Sequence, residues 1–201
     1  MNLENALPHP SLAEPSRIVC VFASSSGRIA AHWHDDARNL GAALAHHGFG
    51  LAYGGCDLGL MGTAAWSARE AGCPVLGVIP QALEELGEAD RACEELVVVP
   101  DLPARKRVLI QRSGSFLCLP GGIGTYDEIF EVLALRQVGE SKAPLVLVND
   151  RGFYNPLLHL LATARDQRFI RGLIQSGESD PAVLVASTTA EAVHQLAVAL
   201  K

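Results

Sequence analysis

The chain has 201 residues, 49% of them hydrophobic and 19% charged, with a formal net charge of −6. These values describe one soluble globular domain with a full core. They exclude a membrane span, since no apolar run approaches the roughly 18–20 residues required, and they argue against a nucleic-acid partner, because no basic run extends beyond Arg105-Lys106-Arg107.

Residues 1–16 hold three prolines, two acids and neither a signal nor a transit pattern. They are expected to form a poorly ordered tail ahead of a domain over 17–201. From there strand and helix patterns alternate. An apolar run at 17–23 ends in Ser24-Ser25-Ser26-Gly27, and helical spacing over 30–47 stops at Gly48, a C-cap signal. A strand at 50–53 runs into Gly54-Gly55, and a helix over 62–71 stops at Gly72. Strand 74–79 ends at Pro80. Strand 96–99 and helix 103–112 lead to a strand at 115–119, a glycine turn and a helix over 125–138. Strand 144–148, helix 156–167, strand 182–186 and helix 189–200 close the chain. Strands apolar throughout are covered on both faces, and their alternation with helices means a parallel sheet with right-handed crossovers. The predicted fold is α/β: a Rossmann-like doubly wound parallel sheet in three α/β/α layers, as a single domain. Ligands bind such sheets beyond the carboxyl ends of the strands, near the switch in strand order.

Five cysteines, Cys20, Cys56, Cys73, Cys93 and Cys118, are scattered, odd in number and without a Cys-x-x-Cys pair. They read as reduced thiols of a cytoplasmic protein, not as a disulfide frame or zinc site. His32-Trp33-His34-Asp35-Asp36 looks metal-like, but alternate histidines at a helix start do not share a face, so no metal site is expected.

The most informative segment is 120–128, Pro-Gly-Gly-Ile-Gly-Thr-Tyr-Asp-Glu, between a strand and a helix. Gly121, Gly122 and Gly124 let the backbone approach a ligand closely. The first helical amides have no intrahelical partner and point at an anion. Thr125 sits where its hydroxyl can cap the helix or touch that anion. Glu128 adds a carboxylate in the first turn, with Glu131 on the same face. Spacing alone leaves both a phosphate cradle and an ordinary glycine turn open. Other strand ends carry Ser24-Ser25, Gly54-Gly55, Gly59-Leu60-Met61-Gly62 and Arg105-Lys106, a set that suits a phosphorylated small molecule. The first strand lacks the Gly-x-Gly-x-x-Gly of a dinucleotide fold, which disfavours hydride transfer.

Taken in order, Tyr53-Gly54-Gly55, Gly59-Leu60-Met61-Gly62, Gly77-Val78-Ile79-Pro80, Arg105-Lys106 and the 120–128 segment resemble the LONELY GUY family of cytokinin-activating phosphoribohydrolases. Gln137-Val138-Gly139, Lys142-Ala143-Pro144 and Gly152-Phe153-Tyr154-Asn155-Pro156-Leu157 extend the likeness over about residues 17–190. The resemblance implies hydrolysis of the N-glycosidic bond of an adenosine 5′-monophosphate, plain or N6-modified, releasing the base and ribose 5-phosphate. It implies no metal or organic cofactor, and a homodimer. It assigns catalysis to Arg105 and Glu128, phosphate binding to Gly121, Gly122, Gly124 and Thr125, and a substrate contact to Lys106. The strand-end residues Ser24, Ser25, Gly54, Gly55 and Gly62 and the neighbouring Glu131 are expected against the substrate, with Met61 and Leu102 as walls of an adenine slot.

The chain departs from the family pattern beside that loop. Leu102-Pro103-Ala104 stands where relatives carry Met-His-Glu, and Gly87 falls where many carry glutamate. These changes cluster around base and sugar and bear on which base is accepted. Two other readings stay open. One is a non-catalytic carrier of a nucleotide or molybdopterin-type cofactor on the same fold. The other is a pyridoxal-phosphate decarboxylase, for which no residue marks a Schiff-base lysine with a pyridinium partner.

Overall fold

A computed structural model describes residues 12–170 and 183–201. Seven strands, β1 (Ile18–Phe22), β2 (Gly50–Tyr53), β3 (Val75–Pro80), β4 (Glu95–Val99), β5 (Ser115–Cys118), β6 (Leu145–Val148) and β7 (Val183–Ala186), form one sheet in the order β4-β3-β2-β1-β5-β6-β7. Every pairing is parallel. The helices are α1 (His34–His47), α2 (Gly59–Glu70), α3 (Gln81–Glu85), α4 (Leu102–Gln111), α5 (Ile123–Val138), α6 (Asn155–Asp166) and α7 (Thr189–Ala199). The doubly wound sheet expected from the sequence is therefore present. The chain winds outward from β1 to β4 and restarts at β5 on the other side, so the switch in strand order lies between β1 and β5.

Alternation along β1 builds two cores. Val19 and Val21 face a layer with Leu40 and Leu44 of α1, Ala64 and Ala68 of α2 and Leu196 of α7. Ile18, Cys20 and Phe22 face Leu109 of α4, Ile129 and Val132 of α5 and Leu161 of α6. Side chains of successive strand residues leave on opposite faces, and both faces are apolar, so the strand reads as one continuous hydrophobic run.

Helix α1 ends as expected, with Gly48 left-handed at φ 65° and its N–H on the Ala45 and Leu44 carbonyls. Its start differs: residues Ala31–Trp33 form a 3-10 turn before the α-helix begins at His34. Helix α2 starts three residues earlier than its apolar spacing suggests, and the five-residue α3 was not expected. Of the tail, residues 1–11 lie outside the described residues, as does position 182 of the last strand. Leu12 packs against the α4–α6 layer, and its carbonyl accepts from Arg112 Nη2 at 3.2 Å.

Candidate active site

Helix α5 begins without a side-chain cap. Its N-cap is Gly122, and the first intrahelical bond runs from the Tyr126 N–H to the Gly122 carbonyl at 3.0 Å. The amides of Ile123, Gly124 and Thr125 precede that ladder and face outward, where the helix dipole favours an anion. Thr125, offered by the sequence as a cap or an anion ligand, does not cap. It is the third helical residue, buried, and a Cβ on Gly121 would lie 2.1 Å from its Oγ1. Gly121 is thus glycine because the turn folds onto Thr125. Gly122 and Gly124 have no such internal reason: a Cβ on either meets nothing within 4 Å, and neither has a positive φ. Their bare backbone faces open space in front of the helix end, as a cradle for a bulky anion requires.

The serine loop after β1 is fastened to this cradle. Ser24 donates its N–H to the Pro120 carbonyl at 3.2 Å and accepts the Met61 N–H at 3.1 Å. The second bond explains the early start of α2, whose third amide is satisfied from another strand's loop. Such a partner, far away in sequence, leaves no local signal.

Glu128 sits on the second turn of α5, 4% exposed, and accepts from Arg105 Nη2 at 2.6 Å. Burial raises its carboxyl to about 7, although the Arg105 guanidinium pulls the other way. Arg105, 9% exposed, rides on α4, whose N-cap Asp101 accepts the Ala104 N–H at 2.8 Å. Its Nε is buried and, among the described residues, has no hydrogen-bond partner. A buried donor without an acceptor is costly. Lys106 pairs with Asp127 at 2.9 Å and with Glu131. Burial lowers its ammonium, but the two carboxylates outweigh that and hold it above its ordinary value.

A cleft of about 390 Å³ joins these groups. Of the residues expected from the sequence, Ser24, Ser25, Met61, Leu102, Arg105, Lys106, Gly122, Gly124, Thr125 and Glu128 line it. Gly54, Gly55, Gly62, Gly121 and Glu131 do not. Gly54 lies beneath the wall: a Cβ there would stand 2.9 Å from Met61 Sδ and 3.2 Å from Arg105 Nη1. Gly55, at φ 75°, is packed on Val78 and Ile79, and Gly62 on Asp57. Glu131 is turned to Lys106 and borders a neighbouring groove with Pro103 and Arg107. Asp127 also lines the cleft, as a partner of Lys106. The metal-like stretch is dispersed, with His34 Nδ1 2.8 Å from Thr63 Oγ1 and Asp35 paired with Arg38. Among the described residues no helix is long and apolar enough to cross a membrane.

The sequence profile of a family described as "Possible lysine decarboxylase" matches residues 61–196. The cytokinin riboside 5′-monophosphate phosphoribohydrolase of Rhodococcoides fascians is 41% identical over 135 residues, covering 67% of this chain and 68% of its own. The probable cytokinin riboside 5′-monophosphate phosphoribohydrolase LOGL1 of Oryza sativa subsp. japonica is 38% identical over 153 residues, covering 76% and 69%. Among solved structures, the molybdenum cofactor carrier protein of Chlamydomonas reinhardtii superposes with a TM-score of 0.68 at 25% identity, covering 91% of this chain and 97% of that one.

Proposed function

The chain belongs to the family of the cytokinin riboside 5′-monophosphate phosphoribohydrolases, and from that membership we propose that it hydrolyses the N-glycosidic bond of an adenosine 5′-monophosphate, plain or N6-modified, to the free base and ribose 5-phosphate. The observation that carries this reading is a buried carboxylate, Glu128, paired with Arg105 beside an uncapped helix end.

The roles divide by chemistry. The phosphate rests on the amides of Gly122, Gly124 and Thr125, and that remote binding energy orients the sugar. Breaking the C1′–N9 bond builds oxocarbenium charge on the ribose, which the Glu128 carboxylate stabilises. Water then bonds to C1′ and gives its proton to Glu128, while the departing base takes one from solvent. A carboxyl at about 7 holds either state near neutrality. Arg105 keeps Glu128 oriented through Nη2 and presents its guanidinium charge to the cleft that it lines. Ser24, Ser25 and Lys106 border the sugar and phosphate, and Met61 and Leu102 wall the base. Glu131, with Gly54, Gly55, Gly62 and Gly121, acts one layer back by shaping these groups.

Product chromatography from a panel of purine nucleosides and their monophosphates tests this reading. Base is expected from at least one adenosine monophosphate and from no nucleoside, with Arg105→Ala and Glu128→Ala inactive. No base from any purine monophosphate would falsify it.

The likeness to a molybdenum cofactor carrier supports a second reading, in which the cleft holds a phosphorylated ligand without turnover. Stoichiometric binding that survives Glu128→Gln, with no base released, would favour it. The decarboxylase description has less support, because Lys106 is held charged by two carboxylates and is a poor imine-forming nucleophile. A cytoplasmic homodimer completes the proposal, supported by five unpaired cysteines and by an apolar stripe on α5.

A further inference from the structure

A second hollow, of about 220 Å³, borders the same glycine loop. Ser24 and Gly122 belong to it and to the Glu128 cleft, so the two spaces meet at the cradle. Their characters differ. The Glu128 cleft carries Arg105, Lys106, Asp127 and Glu128, whereas among the described residues no charged one lines the hollow. Its walls are Ile29, Leu60, Trp33 and Phe153. The last two rings meet edge to face, with centroids 5.6 Å apart. Both are half-buried and fixed from behind. Trp33 closes a 3-10 turn, its N–H on the Ala30 carbonyl at 3.1 Å. Phe153 abuts Tyr154, whose hydroxyl donates to the Leu119 carbonyl at 2.6 Å, directly before the loop.

An apolar space with aromatic walls and no charge selects an uncharged ring. Its size suits one ring system, since a cavity of about 150 Å³ accepts benzene. Among the described residues its polar border is the glycine loop and Ser24, so the ring's polar attachment lies there. A ribosyl group in the Glu128 cleft already takes one ester position of a phosphate on that loop. A group in the hollow takes another.

We propose that the Trp33–Phe153 hollow is a subsite for an uncharged aromatic ring carried on the phosphate held by the glycine loop, so that the site accepts aryl phosphodiesters of nucleosides as well as monoesters. This rests on the phosphate placement of the proposed function but not on turnover. A ligand of this class straddles the loop, its nucleoside beside Glu128 and its second ester group against Trp33.

The test is binding to the full chain by calorimetry, together with fluorescence of a Trp66→Phe variant, in which Trp33 is the remaining tryptophan. Phenyl phosphate is expected to bind about tenfold more tightly than inorganic phosphate, the gain from burying a ring, and to quench Trp33. Trp33→Ala and, independently, Phe153→Ala remove that preference. Adenosine 5′-(phenyl phosphate) displaces adenosine monophosphate and quenches the same tryptophan. Equal affinity for phenyl and inorganic phosphate, or a preference that survives both substitutions, overturns the proposal and puts the ring in the Met61–Leu102 slot or in solvent. A diester bound more weakly than the monophosphate overturns it too. Because none of these readouts needs hydrolysis, a lack of base release counts against the enzymatic reading alone.

Discussion

Glu128 and Arg105 are paired at 2.6 Å in the wall of the cleft. The Glu128 carboxyl rises from 4.5 to about 7, with burial the largest cause. The folded chain therefore binds a proton there that the unfolded chain has shed, and stability falls as pH rises from about 4.5 through about 7, by about 3 kcal/mol in full. Glu128→Gln cannot titrate. Urea denaturation at pH 5 and pH 8 is expected to show a smaller loss of stability in that variant than in the unaltered chain; equal losses would contradict the assignment. The glycines make a second residue-scale case. Gly121→Ala drives a methyl into buried Thr125 and is expected to lower the melting temperature. Gly122→Ala meets open space, so it is expected to melt normally yet bind inorganic phosphate more weakly. If both variants behave alike in the two assays, Gly122 does not face a ligand. The sequence names the motif but cannot separate these roles, because the contact with Thr125 exists only in the folded turn.

Two neighbouring helices are capped in opposite ways. Helix α4 carries Arg105 and has Asp101 on its Ala104 amide, whereas α5 carries Glu128 and has no side-chain cap. The first arrangement fixes a cation. The second leaves donors for a ligand. Asp101→Ala is expected to cost about 1 kcal/mol, measured by denaturant unfolding, with Asp101→Asn restoring most of it. Phosphate at concentration c is expected to act as the missing cap of α5, stabilising the chain by RT ln(1 + c/Kd) and so raising its melting temperature with the logarithm of concentration above Kd. No shift at millimolar phosphate would mean that the α5 amides are not an anion site. At this scale the sequence is highly legible. Apolar runs and glycine stops locate seven strands and six helices to within a few residues, because burial and C-caps are local signals. The short α3 has too few residues to show a period. The early start of α2 depends on the Ser24 carbonyl, and Gly54 depends on Met61 and Arg105. These are contacts between segments, absent from any window of sequence.

For the whole molecule, strand order is the feature that assembles the site. The switch between β1 and β5 brings the serine loop against the glycine loop, although about a hundred residues separate them. The alternation of strands and helices implies such a switch without saying which loops it joins, and nothing in the sequence sets Trp33 beside Phe153, although Phe153 falls in a stretch shared with the family and the glycine loop borders the hollow. The outer face of α5 makes a further whole-molecule case. Ile123, Phe130 and Val138 are 84%, 41% and 68% exposed at helical spacing, an apolar stripe that association would cover. Light scattering is expected to report a dimer for the unaltered chain and a monomer for Phe130→Glu; a monomeric unaltered chain would remove this stripe as an interface. The two backbone bonds of Ser24 have a wider consequence. A single residue staples the end of β1 to the glycine loop on one side and to the start of α2 on the other, using peptide groups that any residue but proline would supply. Substitution therefore cannot easily loosen the staple, and the cradle is a chassis common to both spaces. Walls such as Trp33, Leu102 and Phe153 belong to one space or the other, and each can be exchanged while the anion stays where it was.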